Sequence, residues 1–292
     1  MKIKRLNENV HHITAKGNRL EMAVLGCVHW DNPKCDRKLL DKHLKYCLEN
    51  SIPIIFNGDL FCLMQGRGDR RSNKSDIRPE HNNSHYLDSI VDTAVKYFSP
   101  YAHLIKVVGY GNHETTIIKY QETDVLKRFV EKMNFVNNTD IQISGYGGWI
   151  VWSLDYNSAK CTFQHKFFHG SGGGGIVTKG AINLTRSLEM IEGMDLYTLN
   201  HIHENSARND VRETLVTTNK KTYHTHKDIH LAVCGTYKEE FGTGAKGWHV
   251  ERNAPPKPLG GRLFTLEFKR KKLKDGTYRV IKSIDSRKFP LL

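Results

Sequence analysis

Five short stretches of this 292-residue chain carry side chains that can hold a metal ion or move a proton. They are Cys27-Val28-His29, Gly58-Asp59, Gly111-Asn112-His113-Glu114, His169-Gly170 and Asn200-His201-Ile202-His203. Imidazole nitrogen, thiolate sulfur, carboxylate oxygen and amide oxygen are the usual protein donors to divalent transition metals. Each stretch has a plain structural reading when taken alone. Cys-x-His can be a buried thiol beside a surface histidine, Gly-Asp a turn, Gly-Asn-His-Glu a capped loop, and His-x-His two incidental imidazoles on an extended segment. Position sets the five apart, because each lies where an apolar run has just ended.

Those runs are the elements that must position the donors. Leu20–Val28 reads as a buried strand, and Ile52–Phe56 as a second one ended by Asn57-Gly58-Asp59. His103–Val108 is a third strand. Helical spacing of apolar residues predicts helices over Asp36–Asn50, Tyr86–Tyr97 and Thr123–Met133. Strands that alternate with helices predict parallel pairing with helices outside. Beyond residue 140 the pattern changes. Trp149–Asp155 and Cys161–Phe168 read as neighbouring strands turned at Asn157-Ser158. A glycine run (Ser171–Gly175), a helix over residues 179–192 and a short strand Leu196–Leu199 follow. Residues 205–292 are mostly extended, with a hairpin expected about Asp275-Gly276. In an open α/β sheet ligands gather outside the carboxyl ends of strands, so five strand ends would aim their donors at one crevice.

Composition narrows the class. Hydrophobic residues make up 38% and charged residues 26%, an ordinary balance for a globular chain and against disorder. No apolar run reaches the roughly 18 residues of a membrane helix. The basic N-terminus lacks the apolar core of a secretory signal. Six scattered cysteines without framework spacing read as reduced thiols, so the expected location is cytoplasmic, with no membrane partner. Lys and Arg outnumber Asp and Glu by 44 to 31, a net charge of +13 that suits polyanions such as nucleic acid or phosphorylated substrates, and also suits simple solubility.

Taken in order, the five stretches resemble the signature of the calcineurin-like metallophosphoesterases: Asp-x-His, Gly-Asp, Gly-Asn-His-Asp/Glu, a lone His before Gly, and Gly-His-x-His. The motifs span residues 27–203. Two positions depart, with Cys27 in place of Asp and Asn200 in place of Gly. The runs HGSGGGGIVTKG and CGTYKEEFGTG are similar to bacteriophage or prophage members. The resemblance implies a four-layer α/β/β/α sandwich: two central mixed sheets flanked by helices, in a single domain over 1–292. Residues 205–292 would be extra strands, as a β extension or cap. It also implies two divalent metal ions (Mn, Fe or Zn). Asp59 would bridge them. Cys27, His29 and His203 would complete one shell, and Asn112, His169 and His201 the other. His113 would face the scissile phosphate as acid or transition-state stabiliser. A thiolate at Cys27 would tilt its site toward Zn or Fe, whereas a protonated thiol would leave that site weak.

The implied reaction is hydrolysis of a phosphate ester by a hydroxide activated between two metals. The charge balance leans toward a phosphodiester in a nucleotide or nucleic acid. A phosphomonoesterase, including a phosphoprotein phosphatase, and a non-catalytic binding module on the same fold are the alternatives. Arg67, Arg70, Arg71 and Lys74 lie in a polar segment shortly after Asp59, where they could hold flanking phosphates. The pair His224/His226, with His230, reads as surface histidines. The basic run Lys269–Lys274 on the expected edge hairpin suits either nucleic acid or protection of an edge strand. Tyr237, Trp248 and His249 suit either base stacking or packing at a rim.

Overall fold

The computed structural model describes residues 1–64, 74–217, 222–242, 244, 248–251, 253–272 and 278–290. The elements run β1 (Lys2–Asn7), β2 (Val10–Lys16), β3 (Arg19–Leu25), α1 (Arg37–Glu49), β4 (Ile54–Asn57), α2 (Tyr86–Phe98), β5 (Ile105–Gly109), α3 (Asn112–Gln121) and α4 (Val125–Asn137). Then come β6 (Gln142–Ile143), β7 (Gly147–Tyr156), β8 (Ala159–Phe168), α5 (Ala181–Met190), β9 (Leu196–Leu199), β10 (Asn205–Thr217), β11 (Thr222–Cys234), α6 (Trp248–Glu251), β12 (Arg262–Lys272) and β13 (Tyr278–Lys288). They build two mixed sheets. One has the order β1-β2-β7-β8-β9-β11-β10 and the other β13-β12-β3-β4-β5-β6.

The layers follow from where the apolar side chains go. Ala23, Leu25, Ile54, Phe56 and Val108 face outward from the second sheet. They pack under Leu40 and Leu44 of α1, Ile90 and Phe98 of α2, and Phe129 of α4. Their neighbours Met22, Val24, Ile55 and Val107 point the other way, as period-2 alternation requires. They meet Trp152, Phe163, Phe167 and Phe264 in a layer between the sheets. Tyr197, Leu199, Leu231 and Val233 on the far face of the first sheet pack against Leu184 of α5. The order is therefore helix, sheet, sheet, helix, the α/β/β/α sandwich that the motif pattern implies.

Strands β3, β4, β5 and β6 are mutually parallel, and β8 is parallel to β9. Strand β2 runs parallel to β7, and β1 closes that edge as an antiparallel hairpin. The β1–β2 hairpin escapes a reading based on apolar runs. Its inward positions include His11 beside Ile13 and Ala15, and β1 is almost wholly exposed. Helix α3 is likewise longer than its motif suggests, because it buries only Glu114 and Ile117. The final strands join both sheets: β10 and β11 extend the first, while β12 and β13 form the edge of the second.

A candidate metal centre between the two sheets

Each donor stretch lies just past the end of a strand. Cys27 and His29 follow β3, Asp59 follows β4, Asn112 and His113 open α3 after β5, His169 follows β8, and His201 and His203 follow β9. Three of these strands belong to one sheet and two to the other. The crevice therefore lies between sheets, not along a single one.

The loops are held by their backbones. Cys27 N–H donates to Gly58 O (3.0 Å) and His29 N–H to Asp59 O (3.0 Å), which zips the β3 and β4 loops together. Tyr237 N–H (3.0 Å) and the Thr236 hydroxyl (2.9 Å) both donate to Cys27 O, locking that loop from above. Asn200 N–H donates to His169 O (2.9 Å) on the other sheet. Cys27, His29, Asp59, His201 and His203 all adopt left-handed φ values between 48° and 66°. Such a conformation is costly for a residue with a Cβ, and it collects at functional sites.

Asp59 is buried, and its Oδ2 lies 3.2 Å from His169 Nε2 and 3.9 Å from His29 Nε2. His169 Nδ1 pairs with the backbone carbonyl of Asn57 at 2.9 Å, so that nitrogen donates and Nε2 is aimed inward at the Asp59 carboxylate. The same Nε2 is 3.3 Å from Asn112 Oδ1, and His201 Nδ1 is 2.8 Å from that oxygen. Asp59, Asn112, His169 and His201 thus share one neighbourhood. On the other side, one ligand atom from each of Cys27, His29 and His203 lies within 4.8 Å of the other two, and Cys27, Asp59 and His169 form a second such trio. All seven expected donors converge.

His113 sits at the mouth. Its backbone N–H donates to Asp59 Oδ1 (3.0 Å), and its Nδ1 pairs with the Cys62 carbonyl at 2.6 Å. Its ring meets that of His29 edge-on at 4.8 Å. His113 also joins His29 and Cys62 in a third trio of clustered ligand atoms.

Burial shapes the protonation of the site. It holds the His29 imidazole well below its usual range, helped by the nearby His113, and it takes His203 down to about 3. Burial would raise the Asp59 carboxyl, but the imidazoles of His169 and His113 overcome this and hold it well below the carboxylate range. Burial and the Asp59 charge push the Cys27 thiol well up, against a backbone N–H from His201 that donates to its sulfur at 3.2 Å. Burial would lower His169, but the Asp59 carboxylate overcomes this and raises it, whereas burial holds His29, His201 and His203 low and so available as neutral donors to a cation. Both ring nitrogens of buried His29 lack a hydrogen-bond partner, and a ligated ion would satisfy one of them. The residues fit a divalent metal pair.

The two departures from the motif have different settings. Asn200 is buried, donates to Gly235 O (3.2 Å), and accepts from Asn57 Nδ2 (2.9 Å). Its amide occupies the space that a Cβ on Gly26 would need. The extra side chain at position 200 is therefore accommodated by a glycine opposite. Cys27 keeps its place among the donors.

Sequence reasoning missed three supports. Glu114 is buried, and its carboxylate accepts the N–H groups of Asp59 (3.1 Å), Phe61 (2.9 Å) and Gly111 (2.8 Å). Asp31 accepts from Cys62 N (2.5 Å) and Leu63 N (2.9 Å), fixing the carbonyl that meets His113. Lys238 is largely buried beside the cluster, with its ammonium 3.0 Å from Glu240. Only Glu114 had a signal, its place in Gly-Asn-His-Glu. Arg67, Arg70 and Arg71 lie outside the described residues, as does the Lys74 side chain. Tyr237 is no stacking platform: it is buried, with its hydroxyl 2.8 Å from His43 Nδ1. Trp248 and His249 side chains are not among those described. His224 and His226 are exposed, whereas His230 is buried between Asn209 Oδ1 (2.5 Å) and Ser286 Oγ (2.7 Å), which corrects its reading as a surface residue.

No protein-family model matches the chain, and no curated protein matches it. Among solved structures, it is similar to Vps29 of Chaetomium thermophilum, at 12% identity and a TM-score of 0.34 over 94% of this chain and 100% of that one. It is also similar to GAP50, the anchor in the inner membrane complex of Plasmodium, at 11% identity and a TM-score of 0.42 over 91% of this chain and 89% of that one.

Proposed function

We propose that this chain hydrolyses a phosphate ester at a centre of two divalent cations, and that the substrate is a phosphodiester in a nucleotide or nucleic acid. One observation carries the reading. A single oxygen of buried Asp59 faces His169 at 3.2 Å and His29 at 3.9 Å, each with its own group of donors behind it. That is the arrangement a bridging carboxylate needs. Cys27, His29 and His203 would hold one cation, and Asn112, His169 and His201 the other. Bound there, such a pair polarises a phosphate and lowers the pKa of water.

The rest is work for the protein's own groups. Imidazole and amide donors leave the donor set with little negative charge, so an anionic ester is not repelled. His113 is fixed by the Cys62 carbonyl and by Asp59, which supports a role in which it would donate a proton to the leaving oxygen. The +13 net charge favours approach of a polyanion. The diester reading rests on that charge.

The test compares bis(p-nitrophenyl) phosphate with p-nitrophenyl phosphate after loading with Mn, Fe or Zn. The diester should turn over faster, chelation should abolish the rate, and His113→Ala should lower it by about 10²–10⁴-fold. Preference for the monoester would overturn the diester assignment. Absence of turnover with every metal would overturn the enzyme reading in favour of a binding module.

A further inference from the structure

Strands β12 and β13 carry nine cationic side chains and two carboxylates, a net +7 out of the chain's +13. Arg262, Arg287 and Lys288 lie at the end of this pair nearest Cys27, whereas Lys269, Arg270, Lys271, Lys272 and Arg279 lie toward the other end. Strand β12 runs antiparallel to β3, pairing Arg262 with Val24 and Glu267 with Arg19. Its first residues therefore lie at the edge that carries Cys27. Its last residues overrun the opposite edge, about 33 Å away at ~3.3 Å per residue.

The character of β12 switches where it leaves the core. Phe264, Leu266 and Phe268 are buried between the sheets, and then Lys269, Arg270, Lys271 and Lys272 are all exposed. Alternation puts Arg270 and Lys272 on the face continuous with Phe268, and Lys269 and Lys271 on the opposite face. Strand β13 pairs with β12 along this overhang, from Lys272↔Tyr278 to Phe268↔Lys282. The Arg270 guanidinium lies 4.4 Å from the centre of the Tyr278 ring. Beside the ribbon a cleft of about 790 Å³ separates it from the β10–β11 hairpin, lined in part by Arg279 and by Lys227 and Lys282, which both pair with Asp195.

We propose that the overhanging β12–β13 ribbon is a docking element for duplex DNA. A two-stranded ribbon fits a major groove. Cations on both of its faces suit a groove walled by two phosphate backbones, whereas a membrane plane would meet only one face. That the docked duplex is also the substrate rests on the phosphodiesterase reading; the docking itself does not.

The test is fluorescence anisotropy with a labelled 24-base-pair DNA between 50 and 200 mM NaCl. Wild type and His113→Ala should bind alike. The variant Lys269→Glu/Lys271→Glu/Lys272→Glu should bind at least tenfold more weakly at 100 mM NaCl. Its salt slope should be shallower by about three phosphate contacts, at ~0.9 per contact. Its turnover of bis(p-nitrophenyl) phosphate should be unchanged. The milder Lys271→Ala, which leaves the ribbon pairing intact, should shift affinity in the same direction by about twofold or more. Unchanged DNA affinity in both variants would overturn the proposal. So would equal affinity for a single-stranded 24-mer, or binding to phosphatidylserine vesicles without binding to duplex. Failure of turnover in the metal-loaded wild type would remove the hydrolase reading and leave the docking result standing.

Discussion

At the scale of single residues, Cys27 is the sharpest test of the candidate centre. Cys27→Ser keeps a small polar group but removes a candidate sulfur donor. Metal content by elemental analysis should fall below that of wild type, and turnover should fall with it. Unchanged values for both would remove Cys27 from the donor set. Gly111 is constrained in a different way. A Cβ there would fall on the Asp59 carboxylate and backbone nitrogen. Gly111→Ala should therefore cost about 1–3 kcal/mol by overpacking and lower metal content as Asp59 is displaced. A melting temperature and a metal content equal to wild type would contradict the geometry. The donors themselves were legible in the sequence because ligand chemistry restricts residue type and because the strands before them are apolar. Glu114, Asp31 and Lys238 were less legible. Their work depends on which backbone amides or charges fold against them, and that is long-range information.

At the scale of elements, Asp195 joins strands from both sheets. It lies just before β9 and accepts from Gln164 N–H of β8 at 2.8 Å. It also pairs with Lys227 of β11 (3.2 Å) and Lys282 of β13 (3.1 Å). Asp195→Ala leaves the half-buried Gln164 N–H and two partly exposed ammonium groups without their carboxylate. A loss of about 1 kcal/mol is expected from urea unfolding, and a loss near zero would show that the junction is redundant. The regular strands and amphipathic helices were readable from apolar periodicity. The β1–β2 hairpin was not, because a buried histidine interrupts its apolar face and its outer strand has none. The hairpin over β12 and β13 was readable from flanking patterns, although its turn lies outside the described residues.

At the scale of the whole molecule, acid should unfold the protein through histidines. Burial lowers His11, His43 and His230 to about 4 and His165 to about 3, from an ordinary value of 6.5. The unfolded chain takes up these protons near pH 6.5, whereas the folded chain resists until near pH 4. The stability they confer is complete above pH 6.5 and drains away as the pH falls toward 4. Urea midpoints measured between pH 7 and 4.5 should drop, with a slope of up to one proton per histidine. A flat profile would mean that these rings are solvated. Among the described residues no helix is long and apolar enough to cross a membrane.

The placement of the donors on two different sheets has a mechanical consequence. Each sheet holds only part of the candidate donor set, so cations seated between them would act as a clasp across the seam. Ion affinity then becomes a gauge of how the sheets are seated. Trimming Trp152 or Phe264, which fill the space between the layers, should weaken ion binding as well as the fold, and added ions should raise the melting temperature by holding the halves in register.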